Sequence, residues 1–324
     1  MIVSQENFAE VIAAKLGGTL HDIEPIGKGM EHRMFRAQWE NANVLMPITI
    51  RFFTGPRAFD QARNEAQALG ELCSDAYPVP DVYTLISDAA TPDAPFTVMQ
   101  YIEGESLTRV AFAQRDKLQF WLDRASDLLL KLHGIRWENG YEWLKPVLSH
   151  LGYAERMLNW WGAQADALPD DADVLRGFDW LRAHLFIART GKQQSLVHRD
   201  FTSDNLLVEG SRIVAVLDWT DLRIADPAVD VAWTRLILAT EFRADLAELF
   251  VKGYTRRNNA VAPTLPFWEV FSAVKRIIQI DAVKAGECER LGIWSDAPDL
   301  TRMLEAEVNV REFLAARLTT DEDM

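Results

Sequence analysis

The chain has 324 residues, 48 of them acidic against 34 basic for a net charge of −14, and only two cysteines. That length is more than one small core requires and suits two lobes of unequal size. The acidic balance argues against a nucleic-acid partner, which calls for a basic stripe, and no apolar run reaches the length of a membrane span. An acidic surface is compatible with a cationic substrate, although solubility alone accounts for it. Cys73 and Cys288 stand far apart in no ligand spacing, so neither a disulfide framework nor a zinc site is indicated. The first residues, MIVSQENFAEVIAAKLGG, lack the basic start and apolar run of a signal peptide, and a cytoplasmic location is expected.

In chain order, residues 4–16 place Phe8, Val11, Ile12 and Leu16 at helical spacing behind Ser4 as N-cap. Strand-like runs follow at 20–27, 33–39 and 44–53. The glycine-bearing turn Gly27-Lys28-Gly29 separates the first two, and Pro47 in the third points to an edge or a bulge in its first half. Residues 58–73 turn helical, with Ala62, Ala66, Leu69 and Leu72 on one face. Strands are predicted again at 82–87 and 95–101. After Gly104 the pattern is helical at 107–135, 147–166, 171–189, 228–256, 266–290 and 299–317. One island interrupts it at 196–218, with two short apolar strands around a loop and an EGSR turn. The expected fold class is therefore α+β, a β-rich first lobe carrying one main helix and a larger helical second lobe.

The island carries the chemistry. It reads His198-Arg199-Asp200-Phe201-Thr202-Ser203-Asp204-Asn205, with Asp218 at the end of the next strand. Phosphoryl transfer needs a group beside the incoming hydroxyl and hard oxygen ligands for a magnesium ion that bridges phosphates. Asp200 and Asn205, five apart in one loop, can face one pocket, and Asp218 closes it from the neighbouring strand. A neutral amide and a carboxylate suit a magnesium that keeps some waters and draws its remaining charge from phosphates.

Residues 198–205 fit the catalytic-loop pattern H-x-D-x-x-x-x-N of protein-kinase-like enzymes. The longer run HRDFTSDNLLV…VLDWTDLRIADPAVDVA resembles the aminoglycoside phosphotransferase family. In that family an aromatic residue commonly follows the metal-binding aspartate, here Asp218-Trp219, and a D-P-x-x-D segment comes next, here Asp226-Pro227 and Asp230. The D-F-G and A-P-E of eukaryotic-type protein kinases do not occur. The resemblance covers roughly residues 24–240 and implies a two-lobed protein-kinase-like fold. The boundaries it implies are a nucleotide-binding lobe over 1–99, a hinge at 100–104 and a catalytic and substrate-binding lobe over 105–324.

The resemblance also assigns roles. Asp200 accepts or orients the acceptor hydroxyl, and Asn205 and Asp218 hold Mg²⁺. Gly27 and Gly29 form a turn over the phosphates of ATP or GTP. Arg51, where most relatives carry lysine, steadies the phosphates and pairs with Glu65 on the following helix. The base of the nucleotide pairs with backbone at Gln100 and Ile102. Asp226 reads as a helix N-cap. Asp230 reads as a first-turn acid, with the substrate pocket as its other reading. His198 is expected to support the backbone around the metal site, His133 to be a structural residue and not a ligand, and the six tryptophans between 121 and 180 to anchor helices. The expected partners are the nucleotide and a small-molecule hydroxyl acceptor, an amino sugar first. Macrolides, amino alcohols and metabolic sugars remain within the same fold. A silent nucleotide-binding module is the competing reading, and its expected mark is loss of Asp200, Asn205 or Asp218. No G-x-x-x-x-G-K-S/T, H-E-x-x-H or G-x-S-x-G pattern supports another hydrolase or NTPase.

Overall fold

A computed structural model describes residues 5–28, 32–42, 44–55, 57–87, 94–144, 150–191, 193–287, 291 and 300–319. The first elements are α1 (Gln5–Leu16), β1 (Thr19–Lys28), β2 (His32–Asn41), β3 (Val44–Phe53), α2 (Ala58–Ser74), β4 (Val82–Ile86), β5 (Phe96–Gln100) and β6 (Glu105–Ser106). Then come α3 (Leu107–Ala113), α4 (Leu118–His133), α5 (His150–Ala165), α6 (Ala172–Ala183), α7 (Leu185–Ala188), β7 (Ser195–Val197), β8 (Leu206–Glu209), β9 (Arg212–Val216) and β10 (Arg223–Ala225). The last are α8 (Ala228–Ile237), α9 (Ala244–Thr255), α10 (Leu265–Lys284), α11 (Leu300–Glu305) and α12 (Glu307–Leu318). Two compact units divide these elements. The first holds the described residues up to Glu105 together with Leu206–Asp221. The second holds Ser106–Asn205, Leu222–Leu291 and the described residues from 300 onward.

The first unit is built on an antiparallel sheet in the order β1-β2-β3-β5-β4. The period of two in β3 separates its side chains cleanly. Ile48, Ile50 and Phe52 join Phe8 and Ile12 of α1, with Phe96 and Val98 of β5, in one core. Phe53 faces the other way, onto Ala58 and Ala62 of α2. Arg51 therefore shares a face with Phe53 and meets α2. On that helix Ala62, Glu65, Ala68, Leu69 and Leu72 are buried, so the apolar stripe carries one carboxylate. Pro47 sits in a strand with neighbours on both sides and no bulge against β2. The ladder to β5 begins only at Ile48, so the missing N–H costs no ladder bond, and Tyr101 N–H reaches the Pro47 carbonyl at 3.4 Å.

The β8–β9 hairpin also belongs to this unit, turning at Gly210 with φ of 61°. It is tied to the rest by Val216 N–H on the Pro78 carbonyl at 2.8 Å. Trp219 is fully buried edge-on to Tyr77, and its indole N–H bonds the Val216 carbonyl at 2.9 Å.

The second unit is helical around α10, which buries Phe267, Trp268, Val270, Phe271, Ala273, Val274, Ile277, Ile278 and Ile280, an apolar surface nearly all round. It packs against α8, α12 and α6. Several long helices predicted from sequence are broken. The run 107–135 divides at Gln114 (φ −124°, ψ 62°) into α3 and α4, and 171–189 divides at His184. The run 228–256 divides through a π-helical turn at Leu238–Phe242 and extended backbone at Arg243. β7 pairs antiparallel with β10, a three-residue strand that the sequence reading did not anticipate. Among the described residues no helix is long and apolar enough to cross a membrane.

Candidate active site

The loop that follows β7 is gripped residue by residue from one face of α8. Asp230, Trp233 and Thr234 fall at i, i+3 and i+4 and so project to the same side. The Asp230 carboxylate accepts the backbone N–H of His198 at 2.8 Å and of Arg199 at 2.6 Å. The Trp233 indole N–H donates to Asp200 Oδ1 at 2.8 Å, and Thr234 Oγ1 donates to the Phe201 carbonyl at 2.6 Å. Asp230 is 0 % exposed, so its charge is stable there only because those donors and the His133 ring, 3.0 Å away, surround it. His133, the last residue of α4, bonds the Tyr254 hydroxyl of α9 through its other nitrogen at 2.6 Å. Burial holds that phenol above its ordinary range.

Asp230 thus clamps the loop backbone, and His133 supports Asp230. His198 is likewise fully buried and accepts the Asp200 N–H at Nδ1, 3.2 Å away. Arg199 holds φ of 72°, a left-handed conformation that costs any residue with a Cβ and that the Asp230 bond to its N–H helps sustain. Asp226 takes the Ala228 N–H at 2.9 Å in the first turn of α8, as a cap does.

Both carboxylate oxygens of Asp200 are engaged. Trp233 holds Oδ1, and Asn205 Nδ2 donates to Oδ2 at 2.9 Å while also reaching the Asp200 carbonyl at 2.9 Å. With the Asn205 nitrogen committed to Asp200, the amide oxygen is the atom of that side chain that could serve as a ligand. The short turn at Ser203–Asn205 is fixed by Ser203 Oγ against Thr108 Oγ1 at 2.7 Å and by Asp204 pairing with Arg302. Arg302 in turn reaches Glu241 at 2.6 Å, and Glu241 also pairs with Arg276 of α10.

In the first unit, Arg51 lies between two carboxylates. Its Nη1 donates to Glu65 Oε1 at 2.6 Å and its Nη2 to Asp218 Oδ1 at 3.1 Å. Asp218 adopts φ of 64°, a region that aspartate tolerates better than most residues, and also accepts Thr220 Oγ1 at 2.8 Å. Glu65 additionally receives the Trp219 N–H at 3.3 Å. Burial pushes the Glu65 carboxyl up from 4.5 to about 7, against the pull of Arg51 and with a further push from Asp218. Between those values the folded chain keeps a proton that the unfolded chain has released, so stability falls as pH rises through that window. The span is on the order of 3 kcal/mol, complete above pH 7. Thermal melts from pH 5 to 8 are expected to show that slope in the native chain and to lose it in Glu65→Gln. Parallel pH profiles for the two proteins would refute it.

Gly27 falls in β1, whose register with β2 shifts between Pro25 and Lys28. Gly29, with Met30 and Glu31, lies outside the described residues. Gln100 closes β5 with its N–H on the Asp81 carbonyl at 2.7 Å, and Ile102 follows in a segment without regular structure. Arg51, Glu65 and Asp218 come together within the first unit, and Asp200 and Asn205 within the second. Among the described residues no group of three or more His, Cys, Asp or Glu side chains is arranged to hold a metal. The amide oxygen of Asn205 and the carboxylate of Asp218 are hard donors of the kind magnesium prefers.

Over residues 22–268 the chain matches the family described as APH, the phosphotransferase enzyme family. The chain belongs to that family. The fold is accordingly the α+β, two-lobed protein-kinase-like fold, and solved members share it. The crystal structure of aminoglycoside phosphotransferase APH(4)-Ia matches with a TM-score of 0.68 at 16% identity, covering 98% of this chain and 99% of that one. A thermostable mutant of the same enzyme, in ternary complex with ADP and hygromycin B, matches with a TM-score of 0.65 at 16% identity over 97% and 98%. The GDP and kanamycin complex of APH(2″)-IIIa matches with a TM-score of 0.66 at 15% identity over 95% and 98%.

Curated relatives of the phosphotransferase family chain are much longer proteins. The Arabidopsis thaliana protein named "Probable acyl-CoA dehydrogenase IBR3" is 28% identical over 232 residues, 65% of this chain and 27% of that protein. Acyl-CoA dehydrogenase family member 10 of Mus musculus is 27% identical over 185 residues, 53% of this chain and 16% of that protein.

Sequence reasoning missed Trp233. An indole in the apolar run VDVAWTRL reads as a packing anchor, although its place three residues after Asp230 puts both on one helix face.

Proposed function

We propose that the chain is a small-molecule kinase, moving the γ-phosphoryl group of ATP or GTP onto a hydroxyl of an aminoglycoside-like or other small acceptor in the cytoplasm. The observation that carries this reading is the coupling of Asn205 to Asp200. The Asn205 nitrogen bonds the Asp200 carboxylate and carbonyl, which supports Asp200 as the group that receives the acceptor hydroxyl and the Asn205 oxygen as a metal ligand.

Magnesium, when bound through Asn205 and Asp218, supplies neutralisation of the phosphate charge. Asp200 orients the acceptor hydroxyl and accepts its proton as the phosphoryl group is transferred. Arg51, held by Glu65, offers a planar fork to phosphate oxygens where a lysine would offer a point charge. Gly27 and Gly29 let backbone N–H groups approach the phosphates, and the backbone at Gln100 and Ile102 receives the base. Most of the acceleration is assigned to positioning and charge neutralisation rather than to the base itself. The ADP and GDP complexes of the solved family members support either donor, and their hygromycin B and kanamycin support an amino-sugar acceptor.

The test is a panel. ATP and GTP consumption is measured with magnesium against amino sugars, macrolides, amino alcohols and simple sugars. Acceptor-dependent release of ADP or GDP, with a phosphorylated product by mass, is the expected result. Nucleotide binding without turnover on any acceptor would replace the kinase with a silent nucleotide-binding module.

A further inference from the structure

A carboxylate on an aspartate turns about a soft, two-fold torsion, so one hydrogen bond leaves its plane free and two fix it. Asn205 supplies one of the two bonds on Asp200. The second comes from Trp233, which is 4% exposed and sits in the middle of α8. An indole N–H can only donate, and it lies in the plane of a rigid ring, so it sets the direction of its acceptor with little slack.

The face of that ring is also occupied. Lys275 Nζ lies 3.8 Å from the Trp233 ring centroid, and the Arg276 guanidinium carbon lies 5.6 Å from it. Arg276 is paired with the buried Glu241. Lys275 comes from α10 and lies 5.9 Å from the Trp161 ring centroid as well. A cation over an indole face draws π density toward itself and strengthens the in-plane N–H as a donor. Three elements thus converge on one oxygen: the loop brings Asp200, α8 brings the N–H, and α10 brings the charge that polarises it.

We propose that Trp233 is a positioning residue for phosphoryl transfer, fixing the plane of the Asp200 carboxylate through its indole N–H, with Lys275 as the cation that strengthens that bond. The role rests on the kinase reading of Asp200 given above. Its consequence is a split between chemistry and binding: losing the N–H lets the carboxylate rotate away from the acceptor hydroxyl and leaves the nucleotide contacts untouched.

Trp233→Phe removes the N–H and keeps an aromatic face for Lys275. It is expected to lower kcat by about tenfold to a hundredfold, the value of one hydrogen bond to a charged group, with nucleotide KM within about twofold of the native value. Lys275→Met is expected to lower kcat by a smaller factor, and Lys275→Arg to restore it. A second measurement does not depend on turnover. In protein labelled with ¹⁵N-tryptophan, the Trp233 indole resonance, identified by its absence from Trp233→Phe, is expected to shift in Asp200→Asn and in Lys275→Met. Native kcat in Trp233→Phe, or an indole resonance unmoved by Asp200→Asn, would overturn the proposal. So would a loss of kcat accompanied by an equal loss of nucleotide affinity and a lower Tm, since that is the mark of a packing role. A native protein that phosphorylates no acceptor would instead remove the kinase reading and the positioning role with it, while the resonance would still report whether the contact exists.

Discussion

Asp200→Ala is expected to lower kcat for phosphoryl transfer by about 10² to 10⁴, while the nucleotide Kd, measured by calorimetry with magnesium, stays near its native value. The separation follows from where Asp200 makes its bonds. Its partners include Trp233 and Asn205, and the loop is clamped independently by Asp230 and Thr234. Removing the carboxylate therefore takes away the group proposed to orient the acceptor while the clamp on the loop backbone stays. Asparagine is no gentle substitute at this position. Its amide presents one acceptor oxygen where Trp233 and Asn205 both donate, so one of the two donors is left facing an N–H₂ group. Native turnover in Asp200→Ala would show that the residue has been given the wrong role.

Asp218→Ala is expected to weaken binding of the nucleotide in the presence of magnesium by at least about tenfold to a hundredfold, the range seen when a metal ligand merely loses its orienting partner. The same measurement in chelator should show a far smaller difference, because the metal-dependent part of the affinity is then absent from both proteins. A second effect runs the other way. Arg51 bonds both Asp218 and Glu65, and deleting Asp218 removes one carboxylate that competes with phosphate oxygens for Nη2. The chelator arm separates these contributions. Equal affinities of native and variant protein with magnesium present would remove Asp218 from the metal site.

The parts of the fold that were legible in the sequence are those whose signal is local. The run 44–53 reads as a strand from its own residues, and once it is a strand Arg51 must face away from Ile50 and Phe52. The Asp226-Pro227 cap and the Asp230 first-turn position are likewise written within a few residues. The breaks in the helices were hidden for a physical reason. A single residue outside helical geometry, such as Gln114 or His184, leaves the apolar spacing on either side intact, and the pattern runs on past it. β10 was hidden because three residues carry no periodicity and acquire strand geometry only by pairing with β7. Trp233 combines both problems. Its partner lies 33 positions away in the chain, and its residue type is usually spent on packing. The family match over residues 22–268 also reaches further toward the C-terminus than the motifs that carry the resemblance.

The Asp230 clamp has an implication for how such a protein can change over time. The groups that would perform the reaction inherit their coordinates from the central helices α4, α8 and α9, through Asp230, His133 and Tyr254. Among the described residues, those linking α4 to α5 and α5 to α6 make no hydrogen bond to Asp230, His133 or Tyr254. Change in those connections leaves these bonds in place, so a lineage could acquire a new acceptor while its reactive apparatus stays in register.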